Sequence, residues 1–431
     1  MSIKLNSIAA GVLALTSFGV SAQATLYGGG ATLPANAYVG GSFYNAAAPA
    51  NSSRQTTATR AANPAFEGTI FGEVAQRGFG QSQVQGISYC QTGSGTGRNA
   101  IIGTTAAGVP VLASGTCGTF AGTPTGFGAP AAISEPDFAA SDAPLSDVEF
   151  ARGLTNKGAA HGQIVQFPVI AAAIAVTFNN ADVPAATTLN LTTQQVCGIF
   201  NGTINNWNQI SASYPAKAIR VVYRSDSSGT TFSFTNWLSA NCPRSNGYST
   251  QSLFTAAISP LPAGSIAASG NPGVANSAAA TDGAIGYTEV SDTLLRAPTL
   301  RFTSINGRAP TSLTAPTISI LADRALGAND SNGRPTLLTL TNVADAGCVL
   351  LADPNSYATP ANNYPIIGIS YLLAYNTANR LPAAVSRLLV APYNATIRNN
   401  TNDAPSDSVR AGSGYAYLSG NLTRTINGCV N

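Results

Sequence analysis

The run Tyr223-Arg224-Ser225-Asp226-Ser227-Ser228-Gly229-Thr230-Thr231-Phe232 concentrates the groups that could do chemistry. It holds one guanidinium, whose planar fork of donors suits an oxyanion. Ser228, Gly229 and Thr230 follow at once. Phe234, Trp237 and Leu238 then recur at i, i+3 and i+4, a helical spacing. The small polar residues therefore fall at a helix N-terminus, where unpaired backbone N–H groups and the helix dipole favour an anion. An ordinary Ser/Thr cap beside a surface arginine would account for this run taken alone. Three further runs argue for the anion.

Gly28-Gly29-Gly30-Ala31-Thr32-Leu33-Pro34 ends in a proline suited to a first helical turn. Residues 35–47 then read as an amphipathic helix through Tyr38, Val39 and Phe43, so Thr32 and Leu33 would offer a hydroxyl and backbone N–H groups at its start. Gly93-Ser94-Gly95-Thr96-Gly97-Arg98 follows a strand-like run, residues 84–89, and precedes Ala100-Ile101-Ile102. Its glycine spacing fits neither a phosphate loop of the Walker type nor GxGxxG, and by itself it reads as a flexible glycine loop. Ser141-Asp142-Ala143-Pro144 is ordinary turn chemistry on its own. Beside the other three runs it suggests a carboxylate in a ligand site.

The elements that must position these groups follow from patterning and composition. Short apolar runs at 169–178 and 218–223 alternate with helical patterns, which points to an α/β class. Residues 1–24 read as an export signal: Lys4, an apolar run from Ile8 to Val20, and the small-x-small site Ala22-Gln23-Ala24. Mature residues would start at Thr25 and work in the periplasm or be secreted. Charged residues make up 9% of the chain, against about 25% in ordinary soluble proteins. A net charge of +3 is too small to argue for nucleic acid. Cys90, Cys117, Cys197, Cys242, Cys348 and Cys429 form an even set in an exported chain, which suggests disulfides among the 15 pairings that six cysteines allow. None has zinc-ligand spacing, and His161 is the only histidine, so metal catalysis and a Ser-His-Asp triad have little support. No metal and no cofactor are expected.

Taken in order, Gly30-Ala31-Thr32-Leu33-Pro34, Gly93-Ser94-Gly95, Ser141-Asp142-Ala143-Pro144-Leu145 and Arg224-Ser225-Asp226-Ser227-Ser228-Gly229-Thr230-Thr231 resemble the phosphate-binding proteins of bacterial phosphate ABC transporters, most of all their DING branch. Gln166-Phe167-Pro168, Cys197-Gly198-Ile199-Phe200, Asn206-Trp207, Gly286-Tyr287 and Tyr364-Pro365-Ile366 extend the resemblance along nearly the whole chain. There are departures. The mature start is Thr25-Leu26-Tyr27 rather than Asp-Ile-Asn-Gly, residues 46–75 and 103–136 look inserted, and residues 296–348 have no counterpart that aligns.

The resemblance implies an α/β, two-lobed periplasmic binding protein of type II with a hinged cleft between the lobes. Lobe one would comprise residues 25–169 and 288–431, and lobe two residues 170–287, with crossings near 166–171 and 287–292. It implies a phosphate site of Thr32, Leu33, Ser94, Asp142, Arg224, Ser228, Gly229 and Thr230, with Asp226 holding the Arg224 fork. Asp142 would reject sulfate, because a carboxylate can accept only from an anion that still carries a proton. Lobes that hinge should not be stapled together. Cys197–Cys242 follows the DING pattern, and Cys90–Cys117 and Cys348–Cys429 are the nearest-neighbour pairs that remain. The partners implied are inorganic phosphate and an ABC transporter permease, with the chain a monomer. A DING-type phosphatase and an exported adhesion protein on the same fold are the competing readings. No base could be assigned beside any of the candidate hydroxyls.

Overall fold

A run apolar on both faces, with β-branched residues and no turn residue at its centre, forms a strand covered on both sides. The longest such run in this chain, Ile164–Asn179, is the strand on which the sheet turns. The computed structural model describes residues 24–40, 55–59, 68–77, 84–105, 107–115, 117, 126–402 and 408–431. The expected export signal lies outside the described residues except for Ala24, as does much of 46–75 and part of 103–136.

The main sheet contains β1 (Ala24–Gly30), β2 (Gln55–Thr59), β3 (Val84–Gln91), β4 (Phe138–Ser141), β5 (Ile164–Asn179), β6 (Arg220–Arg224), β7 (Ile266–Ala268) and β8 (Ala284–Glu289). β9 (Arg324–Asn329) and β10 (Pro335–Thr339) form a separate hairpin. β11 (Ile367–Tyr375) and β12 (Tyr415–Tyr417) return to the main sheet. The strand order is β2-β3-β1-β4-β11-β5-β8-β6-β7, with β12 also on β5.

β5 changes partner along its length. Ile164 to Ala173 pair antiparallel with β11, and Ile174 to Asn179 pair antiparallel with β8. Pro168 cannot donate to the ladder, and it sits where the register slips between Ser370 and Tyr371, the kind of irregularity that admits a proline. Two parallel groups flank this spine. β1 pairs parallel with β3 and β4 on one side, and β6 pairs parallel with β7 and β8 on the other.

Five helices matter for the site: α1 (Ala35–Val39), α2 (Ser94–Ile102), α3 (Asp147–His161), α4 (Gly229–Asn241) and α5 (Gly270–Ala279). α4 is the helix expected from Phe234, Trp237 and Leu238. All three are buried, and Phe234 stacks on Tyr287 with ring centroids 4.5 Å apart. Fully burying one such side chain stabilises by roughly 1.5–3 kcal/mol, so this face anchors the helix whose N-terminus enters the site. α1 is shorter than the expected 35–47: it ends at Val39 because Gly40 turns the chain out at φ 87°. The run from Gly93 is a helix start rather than a flexible loop, since α2 begins at Ser94.

Disulfides join Cys90 to Cys117, Cys197 to Cys242 and Cys348 to Cys429. The β9–β10 hairpin lies within the stretch 296–348 that aligned with nothing. Its Leu326 N–H donates to the Leu145 carbonyl at 3.0 Å, next to the Asp142 turn. Its Asn329 Nδ2 donates to the Thr250 carbonyl at 2.8 Å and its Arg334 Nη1 to Ser239 Oγ at 2.9 Å, beside α4. One hairpin thus grips chain on both sides of the candidate site.

Candidate functional site

In open parallel sheets, ligand groups gather beyond the carboxyl ends of the strands. Every run singled out from the sequence sits at such an end. Thr32 and Leu33 follow β1, Ser94 follows β3 and Asp142 follows β4. Arg224 ends β6, with Asp226, Ser228, Gly229 and Thr230 after it. The two parallel groups point these ends at one another, and Thr32, Leu33, Ser94, Asp142, Arg224, Ser228 and Thr230 are each at most 1% exposed.

Arg224 is the hub. Its Nε donates to Asp226 Oδ1 at 2.8 Å and its Nη2 to Asp226 Oδ2 at 2.5 Å, a bidentate pair. Its Nη1 reaches Thr32 Oγ1 at 3.1 Å, Thr230 Oγ1 at 3.5 Å and Asn271 Oδ1 at 2.5 Å. The Tyr287 hydroxyl accepts from the Arg224 backbone N–H at 3.2 Å. Burial works to raise the Asp226 carboxyl, but the Arg224 charge and hydrogen bonds outweigh it and hold its pKa below the usual carboxylate range. Arg224 and Asp226 cancel in charge, so an anion here must be held by donors and dipoles rather than by net positive charge.

α4 supplies such dipoles. Ser228 caps the helix by accepting from the Thr231 N–H at 3.0 Å. That leaves the N–H groups of Gly229 and Thr230 in the first turn, where no intrahelical acceptor exists. α2 begins directly opposite, and two glycines let the flanks interlock. A Cβ on Gly95 would stand 2.5 Å from Ser227 Oγ, and one on Gly229 would stand 2.5 Å from Asp142 Cβ. The Gly95 N–H donates to the Ser227 carbonyl at 3.0 Å, a backbone bond from one flank to the other.

Asp142 faces this ring from the β4 side. Its N–H donates to Ser94 Oγ at 3.1 Å, and Ser94 Oγ approaches Asp142 Oδ2 at 3.4 Å. Oδ1 is buried and has no hydrogen-bond partner. Burial raises the carboxyl to about pKa 7, against the opposing pull of Ser370, Arg224, Ser94 and Arg98. Ser370 steadies the charge from close by without reaching Oδ1 in full hydrogen-bond geometry. The Asp142 carboxylate is thus the titratable group nearest the Ser94 hydroxyl, 3.4 Å away.

His161 is remote from the ring. It stacks on Tyr375 with centroids 4.1 Å apart and its Nε2 lies 2.7 Å from Glu135 Oε2. Among the described residues, no group of three or more His, Cys, Asp or Glu is placed to hold a metal ion. Sequence reasoning missed Asn271. It follows β7 at the start of α5, and Ser269-Gly270-Asn271 ahead of Val274, Ala275 and Ala278 repeats the strand, small-polar, helix signal of the other runs.

A family model described as a PBP superfamily domain matches residues 48–391. Alkaline phosphatase L of Pseudomonas aeruginosa (strain UCBPP-PA14) is 30% identical over 281 residues, covering 61% of this chain and 68% of that protein. Phosphate-binding protein PstS 3 of Mycobacterium leprae (strain TN) is 30% identical over 294 residues, covering 64% of this chain and 71% of that protein. Among solved structures, a high-affinity periplasmic phosphate-binding protein (PfluDING) bound with phosphate has a similar fold, with a TM-score of 0.58 and 23% identity over 94% of this chain and 93% of that one. With the two parallel strand groups and the ring between them, these matches show that the chain belongs to the PBP superfamily and is an α/β, two-lobed periplasmic binding protein.

Proposed function

We propose that this protein binds inorganic phosphate, as hydrogen phosphate, in the ring formed by Thr32, Leu33, Ser94, Asp142, Arg224, Ser228, Gly229 and Thr230. It does so outside the cytoplasm, for uptake through an ABC transporter permease or for scavenging, and it acts as a monomer. The observation that carries the reading is Asp142 Oδ1, a buried acceptor without a partner among donors. An unpaired buried acceptor is unfavourable by roughly 1–3 kcal/mol, and a ligand that brings both an oxyanion and a hydroxyl relieves it while filling the Arg224 fork and the α4 N–H groups.

The lobe division proposed is 25–169 with 288–431 against 170–287. Its support is the change of partner along β5 and the return of the chain through β8. On this division all three disulfides lie within single lobes, so closure on the ligand is free to occur.

One observation favours a second reading. Ser94 beside Asp142 is a hydroxyl with a neighbouring base, and a 30%-identical relative is named a phosphatase. Against it stands the close packing of the two flanks at Gly95 and Gly229, where even a Cβ would stand 2.5 Å from its neighbours. Equilibrium dialysis with radiolabelled phosphate should show one site per chain whose affinity falls about a hundredfold in Arg224→Ala. Purified protein should release no nitrophenol from p-nitrophenyl phosphate beyond that same variant. Turnover that is lost in both Ser94→Ala and Arg224→Ala would replace binding with catalysis.

A further inference from the structure

Asn271 stands in the ring although no sequence run pointed to it, and each of its polar groups is accounted for except one. Oδ1 accepts from Arg224 Nη1 at 2.5 Å. Its backbone N–H approaches Thr32 Oγ1 at 3.4 Å, and its carbonyl accepts from Thr288 Oγ1 at 3.2 Å. Nδ2 has no partner, and the residue is 0% exposed. The amide cannot be turned over, because a guanidinium has only donors and so fixes which end of the side chain is oxygen. Nδ2 is therefore a buried donor, one bond beyond the carbon that carries the Arg224 contact.

Thr32 strengthens the point. Its Oγ1 receives the Arg224 Nη1 hydrogen at 3.1 Å and the Asn271 N–H. Both lone pairs of the hydroxyl are then occupied, which leaves its own proton to give to a third group. Asn271 thus holds Nη1, orients the Thr32 hydroxyl and presents an unused donor of its own.

We infer that Asn271 is a further anion-binding residue of this site, donating Nδ2–H to a phosphate oxygen while Oδ1 fixes the Arg224 fork; this rests on the phosphate reading above. A neutral amide suits the position. Arg224, Asp226, Asp142 and the Tyr287 hydroxyl already face this corner, and a third carboxylate would set three carboxylates against the single guanidinium before an anion arrived. An aspartate would also accept where the ligand needs a donor.

The test is phosphate affinity by titration calorimetry for wild type, Asn271→Ala and Asn271→Asp at pH 5, 6.5 and 8, with the melting temperature of each ligand-free protein. Affinities are taken relative to wild type at the same pH, which cancels the titration of phosphate and of the shared site groups. Asn271→Ala should weaken binding about tenfold by a factor that does not change with pH. Asn271→Asp should weaken it about a hundredfold or more at pH 8, and the deficit should shrink toward pH 5 as the new carboxyl takes a proton and becomes a donor. Should Asn271→Asp fail to fold, the contrast of Asn271→Ser, which keeps a small donor, with Asn271→Ala decides: serine should bind several-fold tighter. Variants that bind as wild type does, or that lose affinity only in step with melting temperature and without the pH signature, overturn the inference. Wild type that fails to bind phosphate overturns the phosphate reading itself.

Discussion

Asp142 and Asp226 are two carboxylates in one site with opposite surroundings. Asp226 receives both arms of Arg224 and the Gly270 N–H, and its side chain keeps 23% exposure. It stays charged. Asp142 is wholly buried, has one oxygen unpartnered, and is raised to about pKa 7. The first carboxylate cancels and aims a cation. On the phosphate reading proposed above, the second would sense a proton on the ligand. A site that needed only negative charge in its ligand would keep an unpaired carboxylate out. On that same reading, its presence opposite α4 would make the ring selective rather than merely anion-loving.

The strongest way to break the contrast is to take away the partner of Asp226. Arg224→Ala removes the donor fork and leaves a carboxylate uncompensated beside the ligand. Phosphate affinity should fall by about 3 kcal/mol, or roughly a hundredfold, in a calorimetric titration. An unchanged affinity would move the site elsewhere.

The second prediction uses pH on the ligand-free protein. Asp142 binds its proton more tightly folded than unfolded, so between about pH 4 and pH 7 its contribution favours the fold at the acid end and is lost as pH rises. Asp226 has the opposite sign: its contribution is present above the ordinary carboxylate range and is lost as pH falls below it. Urea unfolding in phosphate-free buffer should therefore show stability rising from pH 7 to pH 5, with a slope of at most about 1.4 kcal/mol per pH unit from this group. Asp142→Asn should flatten that slope. A slope unchanged by the substitution would mean that Asp142 is ionised in the empty site.

The smallest effect sharpens the role of α4. Ser228→Ala should lower phosphate affinity by about 1 kcal/mol, the worth of one neutral hydroxyl contact, while leaving the selectivity set by Asp142 intact. Competition by sulfate that appears in Ser228→Ala would place the discriminating group on the wrong flank.

Local pattern was enough to read α4 and the apolar spine of β5, because each is a contiguous stretch whose spacing and residue types agree; the four ligand runs each had an ordinary local reading and stood out only when taken together. What stayed hidden depends on chain far away in sequence. Gly93 to Gly97 looked like a loop because its glycines answer to the close approach of distant chain, Asp226 at Gly93, Ser227 at Gly95 and Ala140 at Gly97, which no local window contains. Ser94 beside Asp142, and Ser370 across from it, meet only once β3, β4 and β11 are side by side. α1 was read too long because a single glycine, Gly40, ended it. Asn271 lay in plain view as a strand-to-helix junction, but an asparagine ahead of Pro272 and Gly273 reads equally well as a turn.

The central claim is that Asp142 reads a proton on the ligand, and calorimetry of sulfate against phosphate on wild type and Asp142→Asn tests it most directly. The account predicts that at pH 8.5, above the raised Asp142 value of about 7, wild type binds phosphate and gives no heat with sulfate, and that Asp142→Asn, with an amide donor in place of the acceptor, gains measurable sulfate binding while still holding phosphate. Sulfate bound by wild type as tightly as phosphate would contradict it.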